Sequence, residues 1–284
     1  SAILTRFSGQ KIIVVVSAMG KTTNKLEEIV AAYLAQDQKT FVGLVDELQA
    51  YHLEIAAGLF PDKHFHIFGL LDEIFADLRA QIQRKPSDNH AFVYDQIVSL
   101  GELLSTQIFE AFLQEEGVSS ALLPALDFMV IDEDNEPVLS VIEQKLAAIL
   151  APVKGKQIYV TQGFICRNPA GEVDNLKRGG SDYTASLIAA AVKASVCEIW
   201  TDIDGMHNND PRVVDKTQPI EQLSFDEAAE LAYFGAKILH PACIWPAQQF
   251  NVPVKLLNTM QPDAIGTTIE AITHTKGVKA VAAK

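Results

Sequence analysis

The residues best suited to chemistry lie at 178–187, where a glycine pair separates a guanidinium from a carboxylate. Two glycines let the backbone pass close to a ligand and take positive φ, and Ser181 is a good N-cap for a helix that Asp182 opens. The first amides of a helix attract anions, and Arg178 supplies a second clamp. The pattern predicts a phosphate or carboxylate site, although a capped buried helix explains the Gly179-Gly180 pair taken alone.

A second glycine turn follows a β-branched run near the start of the chain. Residues 11–17 read Lys-Ile-Ile-Val-Val-Val-Ser, which is typical of a central parallel strand covered on both faces. Residues 18–24 then lead into an amphipathic helix at 26–34, with one of residues 22–24 as its cap. Because strand, glycine turn and helix start recur here, we predict a second anion pocket.

Two charged residues interrupt apolar stretches. Glu102 follows a glycine, and its carboxylate lies either at the margin of the core or toward a ligand ammonium. Lys237 also follows a glycine closely and precedes an apolar helix, so it is either an ordinary solvated lysine or a cation in a ligand crevice. The sequence leaves both pairs of alternatives open.

The elements that must position these residues alternate between helices and strands. Residues 41–116 are predicted to be mostly helical, with breaks at Pro61 and at 86–88. Further predicted elements are strands at 118–126, 128–131, 157–161, 197–201 and 252–257, a helix at 138–150, and final strands at 266–269 and 278–282. This order predicts an α/β fold, a three-layer αβα sandwich with a mainly parallel central sheet that binds ligands at the carboxyl ends of its strands.

Composition limits the partners. The 284 residues carry a formal net charge of −13, which argues against nucleic acid or an anionic membrane as a general partner. The three cysteines show no paired metal spacing and are expected in the core, and no apolar run approaches a membrane span. We therefore expect a cytoplasmic protein. The acidic run at 132–135 lacks the ligand spacing of a calcium loop, and the histidines at 52, 64 and 66 are expected to be surface or packing residues.

Five strings together carry a resemblance to a known family. They are Val-Val-Ser-Ala-Met-Gly-Lys-Thr-Thr-Asn at 15–24, Ser-Leu-Gly-Glu-Leu-Leu-Ser at 99–105, Arg-Gly-Gly-Ser-Asp-Tyr-Thr-Ala at 178–185, Trp-Thr-Asp-Ile-Asp-Gly with Asp-Pro-Arg at 200–212, and Phe-Gly-Ala-Lys-Ile-Leu-His-Pro at 234–241. In this order they resemble the aspartate kinases of the amino acid kinase superfamily, over nearly the whole chain.

The resemblance implies ATP-dependent phosphorylation of the side-chain carboxylate of L-aspartate, the first step toward lysine, threonine and methionine. The acceptor is already ionised, so the task is to hold two anions in line and neutralise the transferring phosphoryl group. The implied cofactors are ATP and Mg²⁺, with no nucleic acid or membrane partner, and the resemblance allows a homodimer.

The resemblance also assigns roles by position. Arg178 matches the residue that pairs with the α-carboxylate of aspartate, and Glu102 matches the one that takes its ammonium. The further implied substrate contacts are Thr23, Gly179, Gly180 and Ser181; the implied catalytic residues are Asp182 and Lys237; and the implied nucleotide contacts are Ser17, Thr201, Asp202, His207, Arg212 and Lys237. No metal ligand is implied.

The chain departs from the family pattern in several places. His207 occupies a position that often holds an aromatic residue, and 171–177 differs from the usual Thr-rich loop. We expect residues 1–284 to be one catalytic domain that lacks the opening strand with its Lys-Phe-Gly-Gly loop and the regulatory domains of relatives. This sequence alone is therefore expected to have little or no kinase activity.

Two alternatives to aspartate kinase stay open at this point. One is a sister kinase of the same superfamily that phosphorylates another acid. The other is a non-catalytic remnant of the fold that binds nucleotide or amino acid, favoured by the missing lysine loop and disfavoured by the retained Glu102, Arg178, Asp182 and Lys237.

Overall fold

The computed structural model describes residues 2–7, 9–61, 65–177, 179–209, 214, 216–234, 239–273 and 277–281. The chain forms two compact units. The first unit comprises Lys11–Glu136 and Pro152–Asn175, and the second comprises Ser1–Gln10, Pro137–Ala151 and Leu176–Lys284. Over the described ranges, every helix is too short or too polar to cross a membrane.

Helices and strands alternate along the chain, as predicted. In chain order the described elements are α1 (Ala2–Thr5), β1 (Ile12–Val16), α2 (Thr22–Leu34), α3 (Gln38–Leu59), α4 (His66–Gln81), α5 (His90–Val98), α6 (Leu100–Glu115), β2 (Ser120–Leu122), a 3₁₀ turn (Ala125–Asp127), α7 (Leu139–Val153), β3 (Ile158–Gln162), β4 (Ile165–Arg167), β5 (Val173–Asn175), α8 (Gly180–Ala191), β6 (Cys197–Thr201), β7 (Gln222–Ser224), α9 (Phe225–Phe234), α10 (Pro241–Gln249), β8 (Val254–Asn258) and β9 (Thr267–Glu270). The helical region predicted at 41–116 and the helix predicted at 138–150 are confirmed.

The main sheet of the first unit is parallel. Strand β3 lies between β1 and β2, with Val160 opposite Val14 on one side and Leu122 on the other. All residues of β3 are buried, whereas those of β1 are half-buried. Since β1 pairs only with β3 in the described sheet, the prediction that residues 11–17 form a central strand covered on both faces is wrong there.

Helices α2 to α6 bury a continuous apolar core in the first unit. Phe41, Phe75 and Ile97 are fully buried in this core. Two of the helices start at side-chain caps, because Asp37 accepts a hydrogen bond from the Thr40 amide and Asn89 accepts one from the Phe92 amide. Helix α2 has no such cap: it begins at Thr22, so the predicted cap at 22–24 is wrong and these residues belong to its first turn.

A buried glutamine attaches α6 to the carboxyl end of β3. Gln162 Nε2 donates to Thr106 Oγ1 at 2.8 Å, and Gln162 Oε1 accepts from the Ala125 amide at 2.8 Å. The Thr106 hydroxyl in turn donates to the backbone carbonyl of Glu102 at 2.8 Å. This chain of hydrogen bonds fixes the first turns of α6 against the sheet.

The strands predicted at 118–126 and 128–131 form only in part. Strand β2 is limited to Ser120–Leu122, because Pro124 lacks an amide hydrogen and the chain then enters the 3₁₀ turn. Residues 128–131 contribute an isolated bridge between Val130 and Arg167. The acidic run at 132–135 is an exposed turn, as expected.

The second unit contains a mixed sheet in the order β6-β8-β9-β7. The β6–β8 and β7–β9 pairs are parallel, and the β8–β9 pair is antiparallel. Together with the first unit this gives an α/β protein with mainly parallel pairing. Described residues 278–281 join no strand, so the predicted strand at 278–282 is wrong: Lys279 is instead held by Glu227 at 2.8 Å and by Thr273 at 3.0 Å.

Helix α9 begins with a capping box. The Ser224 amide donates to Glu227 Oε2 at 2.7 Å, and the Glu227 amide donates to Ser224 Oγ at 3.1 Å. The predicted packing roles of the cysteines and of His52 are also confirmed: all are buried, with His52 against Phe75. His66 is exposed, and His64 lies outside the described residues.

Candidate functional site

The turn between β1 and α2 contacts the first turn of α6. The Ala18 amide donates to Glu102 Oε1 at 3.3 Å. A Cβ added at Gly101 would lie 2.8 Å from the Cβ of Ala18 and 3.5 Å from Cγ2 of Thr22. The absent side chain at Gly101 therefore permits the contact that holds Glu102 at the carboxyl end of β1, the edge where α/β folds bind ligands.

Glu102 is a buried carboxylate with an unused oxygen. The residue is 4% exposed, and its Oε2 has no hydrogen-bond partner among the described residues. Burial raises the pKa of Glu102 to about 7, and the Ala18 amide opposes part of that shift. A buried acceptor without a donor is costly, and a ligand ammonium would supply both a donor and an opposite charge.

The hydroxyl of Thr22 is also buried in this turn. Thr22 is 1% exposed, and its Oγ1 meets no partner in the described part of the chain. Thr23, the predicted substrate contact, is half-buried, and Ser17, the predicted nucleotide contact, is exposed. The sequence did not distinguish Thr22 from Thr23 as a site residue, because two adjacent threonines differ only in the side of the helix on which they lie.

The close approach of Gly101 to Ala18 makes a prediction about stability. Gly101→Ala should destabilise the chain by about 1–3 kcal/mol, because its Cβ would lie inside the contact distance of the Ala18 Cβ. Urea unfolding at pH 7 measures the loss. The matched variant Gly101→Ala with Ala18→Gly removes the opposing carbon and should recover part of that stability, whereas losses that simply add would contradict a direct clash.

The glycine pair opens α8 in the conformation that the sequence predicted. Gly179 is the N-cap with φ 75° and Gly180 has φ 50°, so both occupy the left-handed region. The helix begins at Gly180, and therefore the prediction that Ser181 caps a helix opened by Asp182 is wrong. Because Gly179 turns the chain first, Ser181 and Asp182 lie within the first helical turn, and no side chain caps it.

Asp182 lies close to two buried thiols. Burial raises the pKa of the half-buried Asp182 to about 6. Burial also raises the pKa of Cys197 to about 12 and raises that of Cys243, and the negative charge of Asp182 adds to both shifts. The first turn of α8 thus carries a carboxylate whose pKa approaches the physiological range, beside thiols that stay protonated.

The end of β6 and the described part of the loop after it carry three of the predicted nucleotide residues, Thr201, Asp202 and His207. Thr201 Oγ1 accepts from the Ile203 amide at 3.0 Å, and Asp202 is exposed. His207 is fixed at both ring nitrogens, by Asp204 Oδ1 at 2.7 Å and by Thr217 Oγ1 at 2.8 Å.

The two partners of His207 were missed by sequence reasoning. The side chain of Asp204 has a lowered pKa because His207 hydrogen-bonds to its carboxylate. Asp204 was visible in the loop motif, but the contact with Thr217 spans ten positions and follows only from the fold.

Three of the predicted site residues, Arg178, Arg212 and Lys237, lie outside the described residues. The convergence of Arg178, Glu102 and Lys237 on one crevice stays a prediction. The described residues do group Glu102 with the Ser17–Thr23 turn in the first unit, and they group Gly179, Gly180, Ser181 and Asp182 in one helical turn of the second unit. Within the part of the chain that the structure describes, no cluster of three or more histidine, cysteine or acidic side chains could hold a metal ion.

Comparison with known proteins identifies the family. The model of the amino acid kinase family matches residues 2–258. Lysine-sensitive aspartokinase 3 of Escherichia coli K12 is 40% identical over 178 residues, which cover 62% of this chain and 40% of that protein. Chloroplastic aspartokinase 3 of Arabidopsis thaliana is 32% identical, over 94% of this chain and 49% of that protein. The chain thus spans less than half of either relative.

Solved structures give the same grouping. The structure of E. coli aspartokinase III in complex with aspartate and ADP matches with a TM-score of 0.83 at 31% identity, covering 98% of this chain and 62% of that one. The aspartate kinase of Clostridium acetobutylicum matches with a TM-score of 0.79 at 26% identity, covering 99% of this chain and 62% of that one. By sequence and by fold, the chain belongs to the amino acid kinase family.

Proposed function

We propose that the chain is the catalytic part of an aspartate kinase, which transfers the γ-phosphoryl group of ATP to the side-chain carboxylate of L-aspartate. The products are 4-phospho-L-aspartate and ADP. The observation that carries this proposal is Glu102, a buried carboxylate with one oxygen unpaired among the described residues, at the strand edge where ligands bind. The aspartate and ADP bound to E. coli aspartokinase III support the same pairing of substrates.

The substrate ammonium is the group that Glu102 suits. Ionised Glu102 offers Oε2 while Oε1 is engaged by the Ala18 amide, so the carboxylate is already oriented before the substrate arrives. The remaining contacts follow the family resemblance: Arg178 takes the α-carboxylate, and Thr23, Ser181 and the Gly179-Gly180 amides add hydrogen bonds. An amino acid, with one positive and two negative groups, matches this set of charges.

Phosphoryl transfer needs positioning more than a strong base. A side-chain carboxylate oxygen of aspartate forms a bond to the γ-phosphorus as the bond from that phosphorus to the bridging oxygen breaks, and the electron pair leaves with ADP. We assign to Lys237 the neutralisation of the phosphoryl group and to Asp182 the orientation of Lys237. Asp182 lies at the start of α8, where helix amides also favour negative charge.

ATP is assigned to the loop after β6 and to the end of β1. Thr201, Asp202, His207 and Arg212 are proposed on the nucleotide side, and Ser17 is proposed at the phosphate end of the β1 turn. Magnesium usually binds through phosphates, water and one or two carboxylates, so we propose that it would enter the site together with ATP. Bound with the nucleotide, Mg²⁺ supplies charge neutralisation to the phosphates. A homodimer and a cytoplasmic location stay predictions from the sequence.

The test combines binding with transfer. Calorimetric titration with L-aspartate and with ATP–Mg²⁺ measures binding to the chain, and hydroxylamine trapping of the acyl phosphate measures transfer. In the full-length protein, Asp182→Asn should lower acyl phosphate formation about 100-fold or more while changing aspartate affinity less than threefold, because the lysine that it orients acts in the transition state.

The outcomes separate the alternatives. Binding of both ligands without any transfer by the full-length protein would overturn the kinase assignment in favour of a binding remnant. Transfer to another acid in a substrate panel, with none to aspartate, would identify a sister kinase instead.

A further inference from the structure

A buried pair of side chains joins α5 to β5, apart from the proposed substrate contacts. Asn175 Nδ2 donates to Asp95 Oδ1, and the two residues are 3% and 5% exposed. A second hydrogen bond runs beside it, from Gln96 Nε2 to the Val173 carbonyl at 3.3 Å. We call the Asp95–Asn175 hydrogen bond the clasp.

On the helix side, the clasp is continuous with Glu102. Ser99 ends α5 and precedes α6; its amide donates to the Asp95 carbonyl at 3.3 Å, and its carbonyl accepts from the Leu103 amide at 3.4 Å. Asp95, Ser99 and Glu102 are all buried and are spaced by four and three residues, which places them along one helical face. The position of Asp95 therefore constrains the position of Glu102.

On the strand side, the clasp lies at the end of β5. Asn175 is the last residue of that strand, and the chain reaches Arg178 three residues later. The clasp thus connects α5, the helix that precedes the Glu102 helix, to the end of β5.

We propose that Asp95 and Asn175 are positioning residues for the acid substrate, because they fix the helical segment that leads to the Glu102 carboxylate against β5. This inference rests on the proposed function. Stability alone does not call for a buried carboxylate here, since a well-packed apolar pair is often as stable as a buried polar one. A hydrogen bond adds a fixed distance and direction, and that is what a site for a small amino acid requires.

The test measures aspartate and ADP affinity by calorimetry on the 284-residue chain. Asn175→Ala should raise the dissociation constant for aspartate about tenfold and change that for ADP less than twofold. The exchanged pair, Asp95→Asn with Asn175→Asp, keeps one amide and one carboxylate in the clasp and should restore aspartate affinity to within threefold of wild type. Such rescue is not expected if the variants merely loosen the fold.

Ser120→Ala is the matched control. It removes another buried hydrogen bond of the first unit, from Ser120 Oγ to Glu110 Oε1 at 3.0 Å, and it should lower the melting temperature without changing aspartate affinity. Three results would each contradict the proposed positioning role of the clasp. They are wild-type aspartate affinity in Asn175→Ala, equal losses of affinity for aspartate and ADP, and no rescue by the exchanged pair. If wild type binds no aspartate, the proposed function fails, and the clasp variants are measured with the acid from the substrate panel that wild type does bind.

Discussion

Glu102→Gln should lower the affinity of the chain for aspartate about 100-fold and leave its affinity for ADP unchanged. Glutamine preserves the size of the side chain and can still accept from the Ala18 amide, so the geometry at Oε1 is retained. What it lacks is the negative charge that faces the substrate ammonium, and losing one partner of a buried charged pair costs about 2–5 kcal/mol. Calorimetric titration at pH 8, where wild-type Glu102 is largely ionised, gives the comparison.

The pH dependence of aspartate binding provides a second readout of the same carboxylate. Burial raises the pKa of Glu102 to about 7 in the ligand-free chain, and only the ionised form attracts an ammonium. With that pKa, the ionised fraction rises from about one tenth at pH 6 to about nine tenths at pH 8. Wild-type affinity for aspartate should therefore rise almost tenfold over this interval, and the Glu102→Gln variant should lose that part of the dependence.

The stability of Glu102→Gln separates a ligand-binding role from a structural one. The folded pKa of Glu102 lies above its ordinary value of 4.5, so its contribution to stability is present below pH 4.5 and is lost as pH rises through about 7. At pH 8 the wild type must bury an ionised carboxylate and the variant need not. Glu102→Gln should then melt at the same temperature as wild type or higher at pH 8, and a lower melting temperature would contradict the ligand role.

Asp182 affects stability in the same direction as Glu102, but it does not change the difference in melting temperature between wild type and Glu102→Gln. Its pKa is raised from 3.8 to about 6, so its contribution to stability is lost between those values. Both proteins retain Asp182, and its effect cancels in the difference between them. The loss of stability caused by a buried and a half-buried carboxylate is expected of a binding site, where charge is kept for the ligand at the expense of stability.

Local patterns predicted the elements well because helices and strands have different hydrophobic periods. The helices from α3 to α6, the capping box of Ser224 and Glu227, and the positive φ values of Gly179 and Gly180 all follow from nearby residues. The errors arose where the structure depends on the pairing of strands. The run at 11–17 resembles a central strand, yet the side on which it pairs depends on strands more than a hundred positions away.

The candidate site was predicted in residue type more than in geometry. Glu102 was identified from its motif, but its hydrogen bond with the Ala18 amide, 84 positions away, could not be predicted from nearby residues. The clasp of Asp95 and Asn175 spans 80 positions and had no local signal. Tertiary contacts of this kind are set by the fold, so a single sequence can suggest such residues but cannot pair them.

Gly179→Ala should reduce aspartate binding and melting temperature together. An alanine at φ 75° costs about 1–2 kcal/mol in backbone strain. Its Cβ would also lie 2.5 Å from Cys243 Sγ and 3.2 Å from the Tyr183 Cβ, which adds about 1–3 kcal/mol of overpacking unless the turn moves. Because Gly180, Ser181 and Asp182 follow directly, a displaced turn carries the proposed substrate amides with it, and aspartate affinity should fall at least about tenfold.

Two matched variants separate the cost of the left-handed backbone conformation from the cost of the steric clash. Gly171 has φ 79° and open space around its Cβ position, so Gly171→Ala measures the cost of the left-handed conformation with no clash. Gly179→Ala with Cys243→Ala removes the opposing sulfur and should recover part of the lost aspartate affinity, although the added Cβ still lies close to Tyr183. The expected order of aspartate affinity is Gly171→Ala highest, the double variant next and Gly179→Ala lowest. Equal affinities for Gly171→Ala and Gly179→Ala would mean that the contact with Cys243 does not position the turn.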